Sequence, residues 1–469
     1  MKHRISARPT LSRRQLLATA AAAGLSAGFA PLTRAAGGDG SKPSILWLMA
    51  DDLGFADTGI TGLRGMTTPH IDRIAKEGLF LRQSYSNSAV CSATRTGLIT
   101  GRYQYRLRVG LDEPLGANPD VGLPASHPTL PSQLRKAGYR TALVGKWHLG
   151  EGKDFGPLHC GYDRFYGIMK GGTDYFRHTA TSLVDGIGSP LLDGDRPVDD
   201  LGYLTELLAK RAVKEIESAH TDRVPLFLSL HFTAPHWPWE GPEDRAVSEK
   251  LTSLYHRDGG NLATYHKMLA GLDAAVGQAL ATLDRLGMAK NTIVIFTSDN
   301  GGERFSDTWP FIGEKTELLE GGIRVPFFIR WPGHIKAGSR NEQVNISMDW
   351  MPTLLAAAGG APDPAFAPDG QNLLDVVTGR APPHPRQLYW RYKAAEQAAF
   401  RDGDWKYLKL GKAEWLFNLA DDEHERANYA QKEAARFAAM KQGWAAWNAT
   451  MLPYPADATS AGNIAADRY

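Results

Sequence analysis

The 469-residue chain carries 53 Lys and Arg against 51 Asp and Glu, a formal charge of +2, with 43% hydrophobic residues and 12 Trp. This composition excludes a disordered or low-complexity protein, and the length suits two or three domains, or one large domain with an appendage. It also gives no case for nucleic-acid binding: six basic residues and no acids lie in the first 35 positions, leaving 47 basic against 51 acidic residues and a net charge of −4 beyond them.

Close to its start the chain carries Ser12-Arg13-Arg14-Gln15-Leu16-Leu17, an Ala-rich apolar run to Leu32, and small residues at Ala35 and Ala36. This reads as a twin-arginine export signal over residues 1–35, handled by the twin-arginine machinery, with a periplasmic or secreted destination. Gly24, Gly28 and Pro31 interrupt the apolar run, so stable membrane insertion of the mature chain is not expected. Of the two cysteines, Cys91 lies in a reactive setting and Cys160 reads as a small buried hydrophobe, so no disulfide between them is expected.

After a Gly/Ser linker, Ser44 to Ala50 is a continuous apolar run, as a strand buried on both faces requires, and it stops at Asp51-Asp52. Thr68-Pro69 opens an amphipathic helix carrying Ile71, Ile74, Ala75 and Leu79. Next comes Cys91, immediately before a helical run from Ser92 to Thr100 that sets Arg95 on its face, while Gly97 and Gly101 allow close backbone approach. The start of such a helix directs free N–H groups and a positive dipole end toward an anion. A helix from Thr129 to Ala137 leads to a strand from Thr141 to Val144 and then to Lys146 and His148. A helix near 204–218 leads to a strand from Leu226 to Phe232 and then to His236. The long helix from Tyr265 to Leu286 leads to a strand from Thr292 to Phe296 and then to Asp299-Asn300.

Helices alternating with strands, each strand followed by a polar cluster, predict an α/β fold: a large, mostly parallel sheet flanked by helices, with its ligand outside the carboxyl edge. Lys315, a strand from Phe327 to Arg330 and a helix around 349–358 follow. Beyond a Pro-rich stretch, aromatic strands and one closing helix, about 433–448, predict a smaller C-terminal α+β subdomain with an antiparallel sheet. The expected organisation is a main domain over 42–375 and this subdomain over 380–469.

Asp51, Asp52, Asp299 and Asn300 offer only oxygen ligands, and three carboxylates at one site repel without a cation. A hard divalent ion resolves this, Ca2+ before Mg2+, with zinc disfavoured by the lack of His or Cys among the four. Lys146, His148, His236 and Lys315, each after a strand or in a Gly-rich loop, together would line an anion pocket.

Cys91-Ser-Ala-Thr-Arg95 with Thr100-Gly-Arg102, Asp51-Asp-Leu-Gly54, Gly145-Lys-Trp-His-Leu-Gly150, Ala234-Pro-His236, Ser298-Asp-Asn-Gly-Gly302, and Gly313-Glu-Lys315 with Glu320-Gly-Gly322 occur in one order over residues 44–335. Together they resemble the type I, formylglycine-dependent sulfatases of the alkaline phosphatase-like superfamily. The resemblance implies that a formylglycine-generating or radical-type maturation enzyme converts Cys91 to formylglycine, whose hydrate supplies the nucleophilic hydroxyl. It implies that Asp51, Asp52, Asp299, Asn300 and residue 91 hold the metal, that Arg95 holds the hydrate, and that Asp299 takes its proton. Lys146 and Lys315 would neutralise the sulfate oxygens, His236 or Lys315 would protonate the leaving oxygen, and His148 would deprotonate the second hydroxyl. Lys146, His236 and Lys315 are thus the expected substrate-binding residues.

Ala93 stands where the family usually has Pro, a departure that radical-type maturation enzymes accept. The expected activity is hydrolysis of a sulfate monoester, a carbohydrate sulfate with aryl sulfates as surrogates. Trp237, Trp239, Tyr175, Phe176 and Trp309 would border the pocket and stack on the sugar or aryl face. The alternatives are a phosphate or phosphonate ester hydrolase of the same superfamily, a non-catalytic binder of sulfated glycans, and a cysteine hydrolase. Asn300, where phosphate-cleaving relatives commonly carry His, favours sulfate over the first. Retention of every expected catalytic side chain argues against the second, and the acidic cluster against the third.

Overall fold

A computed structural model describes residues 42–116, 118–151, 154–184, 188–255 and 259–462; the expected export signal lies outside them. Among the described residues the strands, in chain order, are β1 (Ser44–Ala50), β2 (Leu79–Leu81), β3 (Ser84–Tyr85), β4 (Arg140–Lys146), β5 (Arg164–Ile168), β6 (Leu192–Asp193), β7 (Arg196–Pro197) and β8 (Leu226–His231). They continue with β9 (Thr292–Ser298), β10 (Phe327–Arg330), β11 (Ser339–Asn341), β12 (Asn345–Ile346), β13 (Gln387–Tyr392), β14 (Gln397–Asp402), β15 (Trp405–Leu410) and β16 (Ala413–Asn418).

Ten of these form one sheet in the order β11-β2-β10-β9-β1-β8-β4-β5-β6-β7. The five adjacent strands β9, β1, β8, β4 and β5 are parallel. They end on one edge in close register, Ala50 opposite Ser298 and Gly145 opposite His231. The large, mostly parallel sheet is therefore as the sequence predicts. β10, antiparallel to both β9 and β2, and the short β6, antiparallel to both β5 and β7, run against the rest.

The apolar strands are continuous because both faces are covered. On β1, Leu46, Leu48 and Ala50 enter one core with the helices Pro69–Lys76, Leu204–Asp222 and Leu262–Arg285, whereas Ile45, Trp47 and Met49 enter another with Leu130–Lys136 and Trp350–Ala357. Two expected boundaries move for local reasons. The long helix starts at Leu262 rather than Tyr265, because the Asn261 side chain accepts the Thr264 N–H at 2.9 Å and caps it there. Leu79 belongs to β2 and not to the preceding helix, which stops at Lys76 ahead of Gly78.

Near the C-terminus β13, β14, β15 and β16 form an antiparallel meander. One face packs Phe400, Tyr407 and Leu416 against Met440 of the helix Ala434–Asn448. The other buries Leu388, Trp390, Leu408 and Phe417 against Tyr85, Ala89, Val90 and Ala93, the segment that leads into Cys91. A buried ion cluster fixes this contact: Lys406 Nζ lies 2.9 Å from both Glu320 Oε1 and Glu425 Oε1. Among the described residues no helix is long and apolar enough to cross a membrane. Both cysteines are free thiols, and Cys160 lies in the core as expected.

Candidate active site

Each of the central strands delivers one part of the site. β1 leads directly into Asp51 and Asp52, β9 into Asp299 and Asn300, β4 ends at Lys146 with His148 two residues on, and the segment after β8 supplies His236. Cys91 arrives from beside the edge as the first residue of the helix Cys91–Thr100, not just ahead of it, with extended Val90 before it and no side chain capping the helix start. The helix sits deep because Gly97 lets it press on a neighbour: a methyl group there would come within 2.4 Å of the Asn87 side chain.

The structure brings the acidic residues together and gives each a cation. Lys146 Nζ donates to Asp51 Oδ2 at 2.5 Å, and Lys315 Nζ to Asp52 Oδ2 at 2.6 Å. Arg95 donates to Asp299 Oδ2 through Nε at 3.0 Å and Nη2 at 2.8 Å, and its Nη1 reaches the Lys146 carbonyl at 3.0 Å. Asn300 Nδ2 donates to Asp52 Oδ1 at 2.8 Å. Asp51, Cys91 and Asp299 each offer a ligand atom within 4.8 Å of the others, as do Asp51, Asp52 and His236.

Two oxygens in this cluster, Asp51 Oδ1 and Asn300 Oδ1, are buried without a hydrogen-bond partner. Neighbouring oxygens left over in a buried site are what a hard cation would satisfy, so the residues present fit a divalent ion. The titration of the carboxylates reflects the same crowding. Burial and the neighbouring Asp299 charge push Asp51 well above the usual carboxylate range. Against the upward push of burial, the Lys315 ammonium and its neighbours hold Asp52 well below that range. Burial raises the Cys91 thiol.

The two histidines are fixed as proton acceptors. His148, at φ 57°, uses Nε2 on the Leu115 carbonyl at 3.0 Å; a carbonyl only accepts, so the proton is on Nε2 and the buried, unpartnered Nδ1 is bare. His236 uses Nδ1 on the Trp237 carbonyl at 2.7 Å, and its Nε2 lies 3.6 Å from Asp52 Oδ2. Burial, reinforced by Lys146 for His148 and by Lys315 for His236, holds both rings well below the usual histidine range. His148 bonds to Leu115 rather than to any of the other nine site residues, and Gly171 makes its space: a methyl group there would meet the ring at 2.6 Å.

Two residues that the motif reading passes over also lie here. Glu303 Oε2 is 3.5 Å from Lys315 Nζ, and His231 Nδ1 is 3.3 Å from Arg95 Nη1. Glu303 follows Gly302 in the loop already flagged, and His231 ends β8 on the same sheet edge, so both had a positional signal. Three of the expected platform aromatics are corrected. Tyr175, Phe176 and Trp239 are buried: Tyr175 bonds the His236 carbonyl and stacks on Tyr203, Phe176 packs on Tyr203 beneath Arg245, and Trp239 lies against Phe305 and Arg304. Trp237 is half-buried and Trp309 is 53% exposed.

Comparison with known proteins agrees with this architecture. The model of the family described as Sulfatase matches residues 43–361, and that described as N-sulphoglucosamine sulphohydrolase, C-terminal, matches 312–442. Mouse (Mus musculus) arylsulfatase J is 30% identical over 88% of this chain and 77% of its own length. Mouse N-acetylgalactosamine-6-sulfatase is 33% identical over 77% of this chain and 70% of its own. Among solved structures, Ps i-CgsB in complex with k-i-k-neocarrahexaose superposes with a TM-score of 0.80 at 28% identity, covering 89% of this chain and 94% of that one.

Proposed function

Because the chain belongs to the sulfatase family and is a sulfuric ester hydrolase, we propose that it frees inorganic sulfate from a carbohydrate sulfate monoester, after conversion of Cys91 to formylglycine. The observation that carries this reading is the set of three buried carboxylates, each already paired with a cation, around Cys91 and two unmatched oxygens. Asp51, Asp52, Asp299, Asn300 and residue 91 would hold a calcium ion, magnesium being second. When bound, the ion would neutralise charge developing on the sulfate oxygens. The hydrated aldehyde at residue 91 would supply a nucleophilic hydroxyl and a second hydroxyl through which sulfate can later be expelled.

The chain's own residues divide the remaining work by their geometry. Arg95, held on Asp299 and the Lys146 carbonyl, orients residue 91, and Asp299 accepts its proton. Lys146 and Lys315 place two ammonium groups on the non-bridging oxygens. Lys315 is the better donor to the leaving oxygen: against burial, Asp52 and Glu303 keep it protonated, whereas the Nδ1–H bond of His236 to Trp237 leaves Nε2 without a proton in the neutral ring. The bare Nδ1 of His148 suits removal of the second hydroxyl proton.

Cleavage of a twin-arginine signal over 1–35 and a periplasmic or secreted location complete the proposal, with a maturation enzyme that tolerates Ala93. The test is the mass of the Cys91 peptide together with rates on matched 4-nitrophenyl sulfate and phosphate. An aldehyde or its hydrate at residue 91 with preference for sulfate is the expected result. A plain thiol throughout the active protein, or a strong preference for phosphate, overturns it.

A further inference from the structure

Beyond the reacting groups, the site is walled on the leaving-group side by two features that sulfate chemistry alone does not require. Asp52 Oδ2 lies between Lys315 Nζ at 2.6 Å and His236 Nε2 at 3.6 Å, so a leaving oxygen served by Lys315 has His236 on its flank. Past His236 stands Trp237, with its ring centroid 4.2 Å from the imidazole, and past Trp237 stands Tyr255 at 4.8 Å, 50% exposed. An apolar aromatic surface thus runs from the reacting centre to solvent. Past Lys315 stands Glu303, whose Oε2, 3.5 Å from Nζ, is buried without a hydrogen-bond partner, while the side chain as a whole keeps 25% of its surface open.

An aromatic face on one side and an accepting carboxylate on the other match the two surfaces of a pyranose, its C–H face and its rim of hydroxyls. A leaving oxygen one hydrogen-bond length, about 2.9 Å, from Lys315 Nζ lies no more than about 6.4 Å from Glu303 Oε2, which is itself 3.5 Å from that ammonium. That is the reach of a substituent on the carbon next to the esterified one. A hydroxyl or ammonium there donates to the carboxylate in a charge-assisted bond, while a sulfate or carboxylate there can only accept and brings two anions face to face.

We propose that Glu303 and Trp237 form the subsite for the sugar ring that bears the ester, with Glu303 selecting a free hydroxyl or amine beside it and rejecting a second anionic group. The assignment rests on the carbohydrate sulfatase reading above. Trp237 contributes to any ring-shaped leaving group, aryl or sugar; Glu303 helps hold the Lys315 proton for every substrate, and discriminates only by what stands beside the ester, so its selectivity is read as a ratio between substrates. Glu303 is therefore a specificity-determining residue.

The experiment uses the full-length protein with residue 91 modified. Values of kcat/KM are measured for 4-nitrophenyl sulfate, for hexose and hexosamine monosulfates, and for their vicinal disulfates, in the wild type and in Glu303→Gln and Glu303→Asp. The wild type is expected to prefer the monosulfate over the vicinal disulfate by about tenfold or more. Glu303→Gln, whose amide can also donate to a sulfate, is expected to reduce that ratio about tenfold, and Glu303→Asp to retain most of it. A ratio within twofold of the wild type in Glu303→Gln, or no wild-type preference, overturns the assignment while 4-nitrophenyl sulfate is still cleaved. Failure on 4-nitrophenyl sulfate as well as on every sugar overturns the sulfatase reading itself, and the subsite falls with it.

Discussion

Replacing Asn300 by Asp tests the proposed cation site. Asn300 Nδ2 donates to Asp52 Oδ1 at 2.8 Å and to the Gly301 carbonyl at 2.9 Å, and Oδ1 is left buried and unmatched. In Asn300→Asp the donor becomes an acceptor, and two carboxylates face each other at about that separation. Their repulsion is about 6 kcal/mol at an effective dielectric near 20. The new carboxyl escapes by holding a proton, which from a reference pKa of about 3.9 costs about 4 kcal/mol at pH 7, so this is the ceiling on destabilisation. A carboxyl whose folded pKa is raised costs nothing below its unfolded pKa and more as pH rises, so the penalty grows by about 1.4 kcal/mol per unit from pH 4 upward. A bound divalent cation would match the added charge. Urea unfolding of both proteins, in EDTA and in calcium chloride, at pH 5 and pH 7, reads all three effects. In EDTA the variant is expected to lag by up to about 4 kcal/mol at pH 7 and much less at pH 5, and calcium should close the gap. A gap of the same size with EDTA and calcium would refute an ion held at Asp51, Asp52 and Asn300.

Three other outcomes follow from the same geometry. His148→Ala is expected to lower steady-state turnover of 4-nitrophenyl sulfate by about 10²- to 10⁴-fold while keeping an initial burst of one equivalent of nitrophenol; loss of both would remove the role given to Nδ1. Burial pushes the Glu113 carboxyl up to about 7 from its ordinary 4.5, so its contribution is full below pH 4.5 and is lost as pH rises through 7. Glu113→Gln should flatten the stability profile between pH 5 and 7 by up to about 3 kcal/mol, and an unchanged slope in denaturant titrations would contradict this. Lys406→Met leaves Glu425 without its cation beside Glu320, which keeps its ion pair with Arg324, and should cost about 3–5 kcal/mol, most of it recovered by adding Glu425→Gln; a single-variant loss under about 1 kcal/mol would refute the pairing.

What the sequence made legible was the edge of the sheet. The apolar runs ending in Ala50, Ser298 and Lys146 are buried on both faces, and the polar residues after them have nowhere to go except the carboxyl edge, so their convergence could be inferred without coordinates. The direction of β10 could not, because Phe327–Arg330 is equally apolar in either orientation and its pairing is set by residues far along the chain. β3, β6, β7 and β12 have two residues each, too few to show a period of two. Tyr175 and Trp239 follow polar or Pro-rich motifs and so resemble surface aromatics; only the tertiary packing of Tyr203 and Phe305 against them takes them inside. Glu303 was passed over for a simpler reason: motif recognition ends at Gly302, whereas the loop that it labels does not.

The packing of Trp390 and its neighbours on Tyr85 to Ala93 also sets a clock on biosynthesis. In the finished protein Cys91 has 1% of its surface exposed, with a wall of its surroundings contributed by strands almost 300 residues further on. A ribosome adding about 5 to 20 residues per second needs roughly 15 to 60 s to travel from Cys91 to Trp390. For most of that interval the cysteine is outside the tunnel while the strands that pack beside it are still to be made, so a modifying enzyme of the kind proposed above would find residue 91 open only before they fold.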